Sequence, residues 1–192
     1  MSRFEEAIIF AAQKHNGMTR KLDGEPYILH PIEAALIAST MTNDEEVLAA
    51  AVLHDVVEDT GTSLEEVERL FGSRVAALVA SETEDKRPEL PKAVSWLVRK
   101  RESLRELENT QDIAVKIIWL SDKLSNMRSL ARARRRLGSA VWDRFNQKDP
   151  KLHGAYYRRI AVLLKELGSY DAWKEYDALV ESVFTGVPDE DI

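Results

Sequence analysis

Apolar residues recur at intervals of three and four along most of the chain, the period of helices with one face turned inward. From Phe4 to His15 this places Phe4, Ile8 and Ala11 or Ala12 on one face. Asn16–Tyr27, "NGMTRKLDGEPY", loses the period and gathers turn residues, so it reads as a polar loop. Pro31 fits the first helical position before "IEAALIAS", where a missing N–H costs nothing. Asn43 or Asp44 can cap a helix running through "EEVLAAAVLHDVVED", which "TGTS" ends. Ser63 opens "SLEEVERLFG" with Glu66 at the capping-box position, and Ser73–Ala80 continues as an apolar helix. Ser81–Lys92 is a charged loop with two prolines. The helical period returns in Trp96–Leu107, which carries a basic stripe, and in Gln111–Ala133, the longest periodic run. Gly138–Pro150 breaks it, Lys151–Leu167 and Asp171–Phe184 form two last helices, and the tail "VPDEDI" is loose. No segment alternates with the strand period and none repeats. The expected fold class is all-α, in one domain over residues 1–192.

Composition narrows the chemistry. With 44% apolar and 31% charged residues, 192 residues can bury a core without disulfides. The absence of cysteine removes thiolate metal sites and thiol nucleophiles, so any metal must be held by His, Asp or Glu. A formal net charge of -6 argues against a nucleic-acid partner, although a local basic patch can still hold a small polyanion. No window approaches the roughly 20 apolar residues of a membrane span. The start "MSRFEEAIIFAAQKH" lacks the pattern of a signal peptide. The expectation is a cytoplasmic protein with no membrane and no nucleic-acid partner.

Against the apolar background, "AVLHDVVEDT" (51–60) sets four ionisable residues in one short stretch. Residues three and four apart share a helix face, so His54 neighbours Glu58, and Asp55 neighbours both Glu58 and Asp59. Three carboxylates beside an imidazole repel one another and call for a compensating cation. Acidic residues that merely ended a helix would oppose its dipole. His54 and Asp55, adjacent in sequence, can converge on one ion only near a helix end or a local distortion. His30, in "PYILHP", and Asp122, which interrupts "VKIIWLSDKLSNM" with Asn126 four residues on, complete a candidate shell. Taken singly, His30 equally suits a helix entry and Asp122 a buried hydrogen-bonding carboxylate. Two imidazoles and two carboxylates suit Mn²⁺, Fe²⁺ or Zn²⁺, and a divalent ion so held acidifies a water it binds.

The motifs "RKLDGEPYILHP", "LHDVVEDT", "LFGSRVAALV" and "LSDKLSNMRSL", in that order, resemble the hydrolase domain of the RelA/SpoT homologues, which are HD-domain metal-dependent phosphohydrolases. The resemblance spans about Phe4 to Leu167, and the chain looks like a single-domain small alarmone hydrolase. It implies an HD-domain helical bundle with its core at about residues 4–167, followed by a C-terminal helix and tail over 168–192. It implies Mn²⁺-dependent removal of the 3′-pyrophosphate from guanosine tetra- or pentaphosphate, (p)ppGpp, leaving GDP or GTP. It places the metal ligands on His30, His54, Asp55 and Asp122, and the pair that positions or activates the attacking water on Glu58 and Asp59. Arg20 would stack on guanine, Lys21 would approach phosphate, Asn126 would lie near the ribose or its phosphates, and Tyr156, or Tyr157 in the other register, would line the pocket.

Two departures stand out. "DKLSNMR" replaces the "DRLHNMR" of longer members, a change expected to leave Asp122 and Asn126 untouched, and the "RKLDGEPY" loop is one residue longer. With no domain-sized segment after Ile192, the chain is expected to degrade the alarmone and not to make it. The competing expectations are an NADPH 2′-phosphatase, another HD-type nucleotide phosphohydrolase, or a non-catalytic nucleotide sensor. Arg99, Lys100, Arg101 and Arg128 are candidates for guiding a polyanion inward. The run Arg132–Arg136 reads as a solvated helix surface away from the reacting centre, and His15, His153 and the four tryptophans as structural. Oligomeric state is left open.

Overall fold

The computed structural model describes residues 1–192 apart from Asp189, Asp191 and the side chain of Ala93. Its α-helices are α1 (Arg3–Lys14), α2 (Leu29–Ala38), α3 (Glu45–Leu53), α4 (Val56–Thr60), α5 (Leu64–Phe71), α6 (Ser73–Ala80), α7 (Lys92–Asn109), α8 (Ile113–Leu137), α9 (Pro150–Leu163) and α10 (Asp171–Val183). Among the described residues the only β pairing is an isolated bridge between Thr19 and Pro26.

The helices start where short polar side chains can take up free amides. Ser2 and Glu5 form a capping box on α1, Asp44 accepts from the Glu46 amide, and Ser63 from the Glu66 amide. Asp112 and Asp149 cap α8 and α9, with Pro150 in the first turn of α9. Helix α8 is the axis of the fold. Its first half is buried almost all round, from Ala114 to Ser125, as expected of a central helix. It packs most extensively against α2 and α10 and also against α3. Helices α1 and α6 cover α3, α5 lies on α6, and α7 meets α9. One hydrophobic cluster joins all of these from Ala7 to Phe184.

The boundaries differ from expectation where they matter for the site. The helix expected over "EEVLAAAVLHDVVED" is broken: α3 stops at Leu53, Asp55 sits at φ −93° and ψ −7°, and α4 begins at Val56. The His54 ring causes the competition, because its Nδ1 lies 2.8 Å from the Ala51 carbonyl, the acceptor that the residue-55 amide would use in a continuing helix. Pro31 is the third residue of α2, not the first; first-turn amides need no helical partner, so proline is tolerated there too. Helix α7 begins four residues before Trp96, directly after Pro91, and α8 runs on through the arginine cluster to Leu137. The expected break at 138–150 contains a 3₁₀-helix over Gly138–Arg144 that buries Val141 and Trp142. Helix α10 belongs to the common core, contributing Trp173, Tyr176, Val180 and Val183. Of the expected loose tail, Asp189 and Asp191 lie outside the described residues, while Val187 packs against the core.

Leu120 on α8 is fully buried, whereas Leu36 on α2 is 66% exposed. Leu120→Ala should cost about 2–5 kcal/mol of unfolding free energy in urea titrations. Leu36→Ala should stay within about 0.5 kcal/mol of the parent.

Candidate metal centre and nucleotide pocket

Three separate parts of the chain deliver the central cluster. The first turn of α2 supplies His30, the break between α3 and α4 supplies His54 and Asp55, and the middle of α8 supplies Asp122. The break turns two adjacent residues toward one point. Asp55 Oδ2 is 3.2 Å from His54 Nε2 and 3.5 Å from His30 Nε2; Asp122 Oδ1 is 3.0 Å from His30 Nε2 and 3.5 Å from His54 Nε2. The two Nε2 atoms are 3.2 Å apart. His30, His54 and Asp122 offer ligand atoms all within 4.8 Å of one another, and all three residues are buried.

This donor set fits a divalent cation. A carbonyl only accepts, so His54 Nδ1 must donate to Ala51 and its Nε2 carries the lone pair in the neutral ring. Two imidazole edges and two carboxylates then face one another at contact distance in a buried place, an arrangement stable only with positive charge among them. Burial would lower His54, but the Asp55 and Asp122 carboxylates outweigh it and hold the imidazole well above its ordinary range. For His30 burial wins and the ring is lowered. Burial would raise Asp55 and Asp122, but His54 beside Asp55, and Lys123 beside Asp122, hold both carboxyls well below the usual range.

Glu58 and Asp59 follow one turn later on α4 and line the same cavity. Burial, and then the Asp55, Glu84 and Asp59 carboxylates, push Glu58 up to about 7. Asp59 accepts from Lys86 Nζ at 2.6 Å and from the Tyr27 hydroxyl at 2.8 Å, and the same hydroxyl lies 2.6 Å from Asp55 Oδ2. Tyr27 was not anticipated. It sits in "GEPYILHP" three residues before His30, and that proximity was the available signal. Glu82 and Glu84 were also missed; they enter from the charged 81–92 segment, whose path across the cavity no local pattern encodes.

Arg99 and Lys100 line the cavity, where both pair with Glu84 (2.9 and 2.8 Å). Arg101 is exposed, and Arg128 is paired with Glu33 and Glu175 away from the cavity. Lys123 was expected to leave Asp122 untouched; instead its Nζ contacts Asp122 Oδ2, because the "DKLSNMR" segment is helical and the lysine stem folds back across Trp119 into the cavity. Asn126 donates to Asp122 Oδ1 at 2.6 Å and accepts from Arg20 Nη2 at 2.7 Å.

Arg20, Tyr27, Asp59 and Asn126 form a shared wall between the metal cavity and a second cavity of about 310 Å³. The second cavity is floored by Leu130, Phe145 and Met18 and flanked by Lys21 and Tyr157. Lys21 thus faces this cavity and not the metal cluster. Tyr156 is buried beneath Lys100, with Nζ 5.0 Å from its ring centre, and it is Tyr157 that lines the opening. Arg136 donates to the Leu22 carbonyl at 2.8 Å, and Ser129 to Asp23 at 3.0 Å, so the arginine end of α8 braces the 16–27 loop. His15 is buried with its ring stacked on Tyr27 at 4.8 Å, and His153 packs among Trp96, Trp142 and Phe145.

The HD-domain family model matches residues 7–148, a span that holds every residue of this cluster. The chain belongs to the HD-domain family. This HD-domain chain is 36% identical over 173 residues to the bifunctional (p)ppGpp synthase/hydrolase SpoT of Escherichia coli K12, covering 88% of itself and 24% of that protein. It is 39% identical over 127 residues to the GTP pyrophosphokinase rsh of Brucella ovis, covering 65% of itself and 16% of the relative. The chain therefore spans a quarter or less of these bacterial relatives. A solved metazoan ortholog of SpoT, described as hydrolysing ppGpp, superimposes with a TM-score of 0.71 at 30% identity, with 96% of this chain and 94% of that one covered. These similarities place the HD-domain chain among the RelA/SpoT homologues. No described helix is long and apolar enough to cross a membrane.

His54→Ala and Asp122→Ala should each weaken binding of a divalent cation by tenfold or more. Metal titration of chelator-treated protein, followed by elemental analysis, measures this directly.

Proposed function

We propose that the chain hydrolyses (p)ppGpp at its 3′-pyrophosphate with Mn²⁺, releasing GDP or GTP and pyrophosphate, and that residues 1–192 form one HD-type hydrolase domain. The observation that carries the reading is the shared wall: a cavity lined by polar and charged groups lies directly against a second, more apolar cavity, and Arg20, Tyr27, Asp59 and Asn126 line both. One end suits phosphates and the other a nucleoside. The kinship with a metazoan SpoT ortholog described as hydrolysing ppGpp supports this choice of substrate.

His30, His54, Asp55 and Asp122 would hold the ion, which when bound polarises a phosphoryl oxygen and acidifies water. Glu58 takes the proton of the attacking water. Raised to about 7, it is poised for that role near neutral pH. Asp59, fixed by Tyr27 and Lys86, orients the same water. Lys123, Lys100 and Arg99 offset charge building on the departing pyrophosphate, in a cavity where cations act more strongly than in bulk water. Arg20, tied to Asn126 at 2.7 Å, holds the ribose at the junction in place of the expected stacking on guanine, and the base enters between Tyr157 and Leu130 with Lys21 at the rim in place of the expected phosphate contact. Tyr157, not Tyr156, takes the pocket-lining role.

Incubation of the purified protein with Mn²⁺ and a panel of ppGpp, pppGpp and NADPH should release pyrophosphate from the first two. Phosphate from NADPH alone would replace this assignment with a 2′-phosphatase. Glu58 cannot accept a proton while protonated, so kcat/KM should rise with pH through about 7. Glu58→Gln should flatten that limb and lower kcat about 10²- to 10⁴-fold while nucleotide still binds. Arg20→Ala should raise KM with kcat changed far less, as steady-state kinetics would show.

A further inference from the structure

Behind His30 runs a chain of hydrogen bonds whose direction is forced at each link. His30 Nδ1 lies 2.8 Å from Ser125 Oγ. The single proton of that hydroxyl points to Glu33 Oε2 at 2.7 Å. Glu33 also accepts from Arg128 Nη1 at 3.1 Å, and Arg128 makes a two-pronged pair with Glu175 on α10 at 2.7 and 2.6 Å. A carboxylate facing a guanidinium offers lone pairs and no proton. The serine proton is therefore committed to Glu33, and Ser125 Oγ can only accept from His30. With a cation, not a proton, between Nε2 and Asp122 Oδ1 (3.0 Å apart), that places the ring proton on Nδ1 and the lone pair on Nε2.

We propose that Ser125 and Glu33 are positioning residues that lock His30 in its Nδ1–H tautomer and so aim the Nε2 lone pair at the divalent cation. The proposal rests on the metal assignment above. An imidazole free in water favours the opposite tautomer, so the ring needs such a lock. His54 gets the same result from a backbone carbonyl, which only accepts. At His30 the acceptor is a hydroxyl, which can turn either way, and the Glu33–Arg128 pair is what decides. The outermost link, Glu175, lies beyond the residues 7–148 matched by the family, so the C-terminal helix supports the metal centre from outside that span. Outer partners of this kind are typically worth about 10- to 100-fold in metal affinity.

The test uses the full chain, stripped of metal and labelled with ¹⁵N-histidine. Two-bond ¹H–¹⁵N spectra should show the His30 ring as Nδ1–H in the parent. Ser125→Ala removes the acceptor, and Glu33→Gln can donate to Ser125 and reverse the link. Both should move His30 toward Nε2–H and weaken Mn²⁺ binding by about tenfold or more, while Ser125→Thr, which keeps a hydroxyl, restores both readings. If Ser125→Ala fails to fold in a thermal melt, the more exposed Glu33→Gln carries the comparison. A parent ring in the Nε2–H form, or Mn²⁺ affinity within twofold of the parent in the folded variants, would overturn the lock. A parent that shows Nδ1–H yet binds no divalent ion would uphold the lock and overturn the metal assignment instead.

Discussion

The close approach of two imidazole edges and two carboxylates, gathered in a buried place, is the constraint around which this fold is arranged. Unpaired buried charge of this kind is costly. The chain tolerates it by bringing positive charge to the rim: Lys123 against Asp122, Lys86 against Asp59, and Arg99 and Lys100 against Glu84. Lys123 neighbours Asp122 on α8 itself, but Lys86 reaches Asp59 from the 81–92 segment and Arg99 and Lys100 reach Glu84 from α7, so those elements must pack correctly before the charges balance. The same interplay explains why α3 does not continue into α4. A straight helix would fan His54 and Asp55 apart by about 100°; the break lets them converge, with the His54 ring anchored to the Ala51 carbonyl.

The helices and their caps were legible in the sequence because they depend on local spacing. Asp44, Ser63 and the apolar period of α8 act within one or two turns, and the structure places these elements close to expectation. His54, Asp55 and Asp122 stood out for a different reason, as ionisable side chains interrupting an apolar period, whereas His30, at a helix entry, stood out as a candidate ligand through the family motif. The partners around them did not. Tyr27 and Lys86 lie in segments with no periodicity, and Glu82 and Glu84 reach the cavity only because the 81–92 segment crosses it, a matter of tertiary packing. Lys123 was visible as a residue but not as a contact, since a long flexible stem can as readily lead to solvent as inward. Tyr156 and Tyr157 are neighbours on α9, and only the rotation of that helix against α7 and α10 decides which ring faces the opening.

The two cavities give the kinship with SpoT a physical meaning. Arg20 and Asn126 belong to both, and Asn126 is bonded directly to Asp122. A group seated in the apolar-walled cavity is therefore one hydrogen bond removed from the ion-binding cluster. Under the proposed function, recognition of the nucleoside and alignment of the phosphate would be linked through these two side chains.

Helix α8 is what makes that link rigid. Asp122, Asn126, Ser129 and Arg136 stand on one unbroken rod, so the carboxylate of the central cluster, the Arg20–Asn126 link and the two braces of the 16–27 loop are held along about 21 Å at about 1.5 Å per residue. The rod works as a ruler. Adding a residue to the 16–27 loop alters the lining that this loop gives the second cavity, whereas adding one to the ruler between Asp122 and Asn126 would swing every later mark by about 100°. Divergence in substrate choice can accumulate at the loop, while the length and phase of α8 stay bound to the chemistry.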